Sequence, residues 1–170
     1  QTTKNSLLKM LNRTHSKQDY VKAIEILKNA GFSNINTDLI ICLPTQKQSH
    51  IKNAINLVNS LNCTHISTYT LILEDGTPLS DMVKNGEIKP LKEEKSVAMY
   101  NFTVNYLKKL GYEQYEVSNF AKNGFACKHN LNCWNMVPYL GFGAGAHSFT
   151  GEKRYNNFNC IETYIKNIHE

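Results

Sequence analysis

The sequence predicts an α/β fold: the later part of a partial (β/α) barrel with parallel strands over residues 1–76, then a mixed α+β region over residues 77–170. Three observations carry this reading. Strand, helix and strand patterns follow one another within about forty residues, and such a unit demands parallel strands joined by a crossover. The helix before that unit, with Gln1 ahead of it, reads as the tail of another unit of the same kind. After "EDGTP" the alternation stops, and the patterns become mixed.

The elements follow in order. "SKQDYVKAIEILKNAG" predicts a helix. Ser16 and Asp19 match a capping box, Tyr20, Ile24 and Leu27 share a face, and Gly31 suits the C-terminal cap. "INTDLIICL" is a short apolar run closed by Pro44, which predicts a buried strand. "TQKQ" offers a second capping box from Thr45 to Gln48, and Ile51, Ile55, Val58 and Leu61 form the apolar stripe of the next helix. "HISTYTLIL" is the next strand. Thr77 and Pro78 then start a short helix as cap and first-turn residues. "EEKSVAMYNFTVNYLKKLG" predicts a long amphipathic helix with Val97, Tyr100, Val104 and Leu107 on one face and Gly111 as its stop. "YEQYEV" alternates as a strand, with Tyr115 and Val117 on one side. Residues 128–151 read as loop, and a last helix begins near Asn159.

Composition narrows the class. Hydrophobic residues make up 41% of 170, enough for a packed core. No apolar run approaches the roughly 20 residues of a membrane span. The net charge of +5 comes from 19 basic and 14 acidic residues, dispersed as in "LKEEK". That is a solvated surface, so no nucleic-acid partner is expected, and a nucleic-acid-binding module would rest on net charge alone. The five cysteines, Cys42, Cys63, Cys127, Cys133 and Cys160, are odd in number and irregular in spacing. They predict reduced thiols in a cytoplasmic protein, and no CxxC is present to hold zinc or iron–sulfur.

Six stretches occur in one order: "QTTKNSLLKMLNRTH", "DLIICLPTQ", "HISTYTLILEDGTPL", "GYEQYEVSNFA", "KHNLNCW" and "YLGFGAGAHS". Together they resemble the radical S-adenosylmethionine proteins related to oxygen-independent coproporphyrinogen III oxidase, and more closely their heme-chaperone branch with its HNxxYW motif. The resemblance covers nearly the whole chain. It implies S-adenosylmethionine, a [4Fe-4S] cluster and heme as cofactors. The family's CxxxCxxC cluster loop is not in this sequence, and the chain opens at Gln1 without an initiator Met. A segment of a longer protein is therefore expected, with the cluster ligands upstream. The favoured function is binding heme and delivering it to an apoprotein. The alternative is oxidation of coproporphyrinogen III at its propionate side chains. Heme or a porphyrinogen and a heme-accepting apoprotein are the implied partners, and a homodimer stays open.

The resemblance also implies site residues. Gln1 contacts the ribose side of S-adenosylmethionine and Arg13 its carboxylate, where a guanidinium fork pairs as Lys cannot. Asp38, read as a charge in a buried strand, is a further contact, unless it caps a neighbouring loop. The backbone of Ile72 approaches the adenine. Cys42 stands where the family has Gly and reads as packing. His65 reads as a hydrogen-bonded structural histidine, His15 as a helix cap, and His50 and His169 as surface residues. Glu116, Ser118 and Asn119 either make a local turn or touch a porphyrin propionate.

The densest chemistry lies in "KHNLNCWNMVPYLGFGAGAHSFTG". His129, Asn130 and Trp134 match the HNxxYW motif, with Cys133 at the Tyr position. Imidazole and thiolate are both competent axial ligands for heme iron, and Trp134 offers a flat apolar face. The other reading is a loop pinned by His129 and Asn130 around a buried Trp134. "GFGAGAHS" lacks the lysine and the context of a phosphate loop. Its glycines permit close backbone approach, and His147 either caps that site or enters the core.

Overall fold

The computed structural model describes residues 1–168, so His169 lies outside the described residues. The chain divides into two compact units, residues 1–126 and residues from 127 onward.

The first unit begins with α1 (Asn5–Met10) and α2 (Lys17–Asn29). The Ser16 cap of α2 is reciprocal: its N–H donates to Asp19 Oδ2 at 2.8 Å, and Asp19 N–H donates to Ser16 Oγ at 3.2 Å. Next come β1 (Asn36–Ile41), α3 (Gln48–Ser60), β2 (His65–Thr70), α4 (Pro78–Lys84) and α5 (Glu93–Lys109). The short strands β3 (Glu113–Gln114) and β4 (Asn119–Ala121) close the unit. The sheet order is β1-β2-β4-β3, with β1 and β2 parallel across the α3 crossover and β4 antiparallel to β2 and β3.

One face of this sheet carries the core. Leu39 and Ile41 of β1 and Ile66 of β2 pack with Ile24, Ile51, Ile55, Val58, Met99 and Leu107 from α2, α3 and α5. Tyr112 is buried there too and donates to the Cys63 carbonyl at 2.7 Å. Lys122 lies over the Tyr112 ring and donates to the Leu110 carbonyl and to Asn59 Oδ1, tying the C-terminal ends of α5 and α3.

Several expectations change. β1 is not a continuously buried run: Thr37, Leu39 and Ile41 are buried, while Asn36 and Asp38 are exposed. Helices cover only one face of this strand, so it alternates. The cap of α3 is not Thr45, which has φ +61°; Lys47 N–H donates to His50 Nδ1 at 3.2 Å instead. On α5 the buried line is Met99, Thr103 and Leu107, and Val97 is exposed. Leu27 of α2 is exposed as well. "YEQYEV" is not one strand: residues 115–118 turn between β3 and β4, and Val117 faces solvent. Glu116 accepts the Ser118 N–H at 2.9 Å and the Asn119 carbonyl accepts the Tyr115 N–H at 3.2 Å, so this segment makes a local turn.

The second unit holds α6 (Lys128–Trp134), β5 (His147–Phe149), β6 (Arg154–Asn156) and α7 (Ile161–Asn167). β5 and β6 form an antiparallel hairpin. The expected loop at 128–134 is thus a helix. Among the described residues no helix is long and apolar enough to cross a membrane.

Candidate functional site

Gln1 and Asp38 come together beside β1, and Arg13 lies at a neighbouring opening. The Gln1 carbonyl accepts the Ile40 N–H at 2.8 Å. Gln1 and Asp38 line one opening of about 320 Å³, with Thr2, His15, Tyr20 and Asn36. Arg13 and Ile72 line a second opening of about 410 Å³, with Ile40, Leu71, Glu74 and Thr77. The Gln1–Ile40 hydrogen bond links the two, since Gln1 belongs to the first and Ile40 to the second.

Gln1 Oε1 is buried and has no hydrogen-bond partner among the described residues. An unpaired buried carbonyl costs about 1–3 kcal/mol, so a donor from a ligand fits here. Asp38 lies within β1 as the sequence predicts, but on its exposed face and not buried, and its Oδ1 accepts from Asn36 Nδ2 at 2.7 Å. His15 does not cap α2, a role held by Ser16; it lines the opening.

The turn after β1 holds this edge in place. Cys42 has φ +63°, the left-handed region that favours glycine, and Thr45 has φ +61°. Gln46 is buried between them and β1. Its Oε1 accepts the Leu43 N–H at 3.1 Å and its Nε2 donates to the Ile40 carbonyl at 3.1 Å. Cys42 is packed as expected, and burial raises its thiol pKa. Sequence reasoning missed Ile40 and Gln46. The only signal for them was their place at the carboxyl end of a strand in a β/α unit.

His65 is buried and bonded on both ring nitrogens, to Asn36 Oδ1 at 2.6 Å and to Tyr115 Oη at 2.7 Å. Its structural reading therefore fits. Burial lowers its pKa, against smaller opposing effects of Asp38 and Glu116.

In the second unit His129 and Cys133 sit one turn apart on α6, with Sγ 3.9 Å from Nε2, and both are exposed. Trp134 is 61% exposed, so the picture of a loop wrapped around a buried tryptophan is wrong. The glycine segment is a backbone-packed turn. A Cβ on Gly141 would meet the His147 carbonyl oxygen at 2.1 Å. Asn157 Nδ2 donates to the carbonyls of Gly141 at 3.2 Å and Gly143 at 2.8 Å, and Gly143 N–H donates to Tyr164 Oη at 3.1 Å. His147 is exposed at the start of β5, not in the core. No group of three His, Cys, Asp or Glu side chains fit to hold a metal occurs among the described residues, so they do not fit an iron–sulfur cluster.

Residues 1–58 match the family model described as the Radical SAM superfamily. A protein named heme chaperone HemW from Lactococcus lactis is 39% identical over 98% of this chain and 44% of its own length. One of the same name from Bacillus subtilis is 37% identical over 100% of this chain and 45% of its own. A Danio rerio protein named radical S-adenosyl methionine domain-containing protein 1, mitochondrial, is 33% identical over 82% of this chain and 32% of its own. The chain thus spans less than half the length of the curated relatives it matches. The solved structure of coproporphyrinogen III oxidase from Escherichia coli, titled a radical SAM enzyme, superposes with a TM-score of 0.75 over 99% of this chain and 42% of that one, at 18% identity. That likeness bears on the fold, and bears out the mixed α/β class. The resemblance to radical S-adenosylmethionine proteins of heme-chaperone type holds across the chain.

Proposed function

We propose that this chain is part of a radical S-adenosylmethionine-type heme chaperone, which binds heme in the cytoplasm and passes it to an apoprotein. The observation that carries this is similarity along nearly the whole chain to proteins named heme chaperones, at 39% and 37% identity, against 18% for the oxidase that shares its fold. In this reading residues 1–76 are the barrel portion and residues 77–170 the accessory region.

S-adenosylmethionine brings a carboxylate, ribose hydroxyls and an adenine. The Arg13 guanidinium suits the carboxylate, the orphan Gln1 Oε1 suits a hydroxyl donor, Asp38 accepts from a second hydroxyl, and the Ile72 backbone borders the adenine. On α6, His129 or Cys133 supplies an axial atom to heme and Trp134 an apolar face. Support comes from the 3.9 Å approach of the two donors and their exposure to an incoming ligand.

Hemin titration of wild-type, His129→Ala and Cys133→Ser proteins tests this, because thiolate and imidazole ligands give different Soret positions. His129→Ala is expected to shift the spectrum or weaken binding more than Cys133→Ser. If both variants, folded by circular dichroism, bind hemin like wild type, α6 is not the heme site. Consumption of coproporphyrinogen III, instead of retention and transfer of hemin, would favour an oxidase.

A further inference from the structure

The sheet face turned away from the helices carries a continuous polar chain. The β1–β2 register sets Asn36 beside His65 and Asp38 beside Ser67. Asp38 Oδ1 accepts from Asn36 Nδ2 at 2.7 Å, Asn36 Oδ1 meets His65 Nδ1 at 2.6 Å, and His65 Nε2 meets Tyr115 Oη at 2.7 Å. Ser67 Oγ also donates to Asn36 Oδ1, at 3.3 Å.

Chemistry gives this chain one direction. An ionised carboxylate only accepts, so Asn36 turns its NH₂ toward Asp38 and its carbonyl toward His65. His65 must then carry its proton on Nδ1. In the neutral ring Nε2 is left as an acceptor, and Tyr115 donates to it. Every member has a fixed role, and the end of the chain is one oxygen of Asp38. The histidine is buried, so its two ring hydrogen bonds are the sheltered part of the chain, while Asn36 and Asp38 lie at the exposed end where a ligand can reach.

We propose that Asn36, His65 and Tyr115 are positioning residues for Asp38. They hold Oδ1 and so aim Oδ2 at a hydroxyl-bearing ligand, the ribose of S-adenosylmethionine. The proposal rests on the reading of Asp38 as a contact of that ligand. Its logic is that of an oriented outer group: a carboxylate held by one oxygen loses rotamer freedom before the ligand arrives.

Calorimetry with S-adenosylmethionine tests it, on wild type, Tyr115→Phe, His65→Asn and His65→Leu, with Arg13→Lys and Asp38→Asn as references. His65→Asn keeps an amide donor near the place of Nδ1, whereas His65→Leu fills the space without one. The expected order is Leu weakest, by about tenfold, with Asn substantially closer to wild type. Tyr115→Phe, the near-isosteric change, is expected to weaken binding several-fold and to move the His65 ring nitrogens in ¹⁵N spectra away from a pure Nδ1–H tautomer. Equal losses for Leu and Asn would reduce His65 to packing and overturn the proposal. So would an Nε2–H tautomer in wild type, or unchanged affinity in all three relay variants while Arg13→Lys weakens binding; in that last case the ligand site itself stands. Absent binding by wild type, or unchanged affinity in both reference variants, would overturn the site and the relay together.

Discussion

In residues 1–126, Ile55, Val58, Ile66 and Phe120 are completely buried, and three helices share one core with the sheet. In residues 127–168, Trp134, Leu140, Phe142, Phe158 and Ile161 all face solvent, Phe142 at 84% exposure. The same chain is held together in two ways. The first unit is held by apolar burial, which is non-directional and scales with area. The second has one buried aromatic, Phe149, against Tyr139, and relies besides on directional contacts: the Asn157 amide and Tyr164 hydroxyl on the glycine turn, Ser148 Oγ accepting the Gly141 N–H at 2.9 Å, and the hairpin ladder. Each such bond contributes only about 0.5–1.5 kcal/mol net. Side chains that a core would claim are thereby left available on the second unit.

The widest test of this contrast pairs Ile55→Ala with Phe142→Ala. Truncating the fully buried Ile55 is expected to cost about 2–5 kcal/mol in urea denaturation. Truncating the exposed Phe142 is expected to change stability by no more than about 0.5 kcal/mol. Comparable losses would mean that Phe142 supports the fold after all. A second test sharpens the view of the glycine turn. Gly141→Ala puts a methyl into the His147 backbone and is expected to cost about 1–3 kcal/mol, with displaced β5 amide resonances. Gly143 has φ +102° but open space around its Cβ, so Gly143→Ala tests backbone strain alone, expected at about 1–2 kcal/mol without displacement of β5.

The smallest effect concerns pH. Burial keeps His65 below its ordinary pKa in the folded chain, so between that lowered value and about 6.5 the unfolded state binds more protons. Stability therefore rises with pH through this window and falls as pH drops below about 6.5. His65→Gln is expected to flatten the slope measured by denaturation between about pH 5 and 7. His50, lowered by partial burial and by Lys4 and Lys47, acts in the same direction. An unchanged slope would show that His65 does not carry the linkage.

Much of the first unit was legible in order, because α2, α3 and α5 repeat their apolar residues at helical spacing and Ser16–Asp19 marks a start by local chemistry. What was not legible depends on register. Nothing near Asn36 announces that it lies beside His65, or that Tyr115 reaches the same ring from a turn fifty residues further on. Asp38 was read as buried because an apolar run does not say whether one face or both are covered. α6 was missed because "KHNLNCW" is short and polar, with no apolar period to reveal it. Close backbone approach in the glycine turn was readable, since glycine in such density has few other uses, but its partner His147 was not.

The pairing of β2 with β4 joins His65 to Ala121, whereas the β5–β6 hairpin joins His147 to Asn156. Closure entropy grows with the length of chain enclosed, and distant pairings form slowly. On a ribosome the first sheet cannot finish until residue 121 has emerged, long after β1 and β2 have been made. Until then the β2 edge lacks β4, and Phe120 has yet to seal the core. The hairpin faces no such wait, because both its strands appear almost together. Synthesis thus leaves the larger unit briefly open along the same strand that carries His65, a window in which pulse-labelled hydrogen exchange would find unprotected those β2 amides that face β4, such as Thr68, while those that face β1 are already paired.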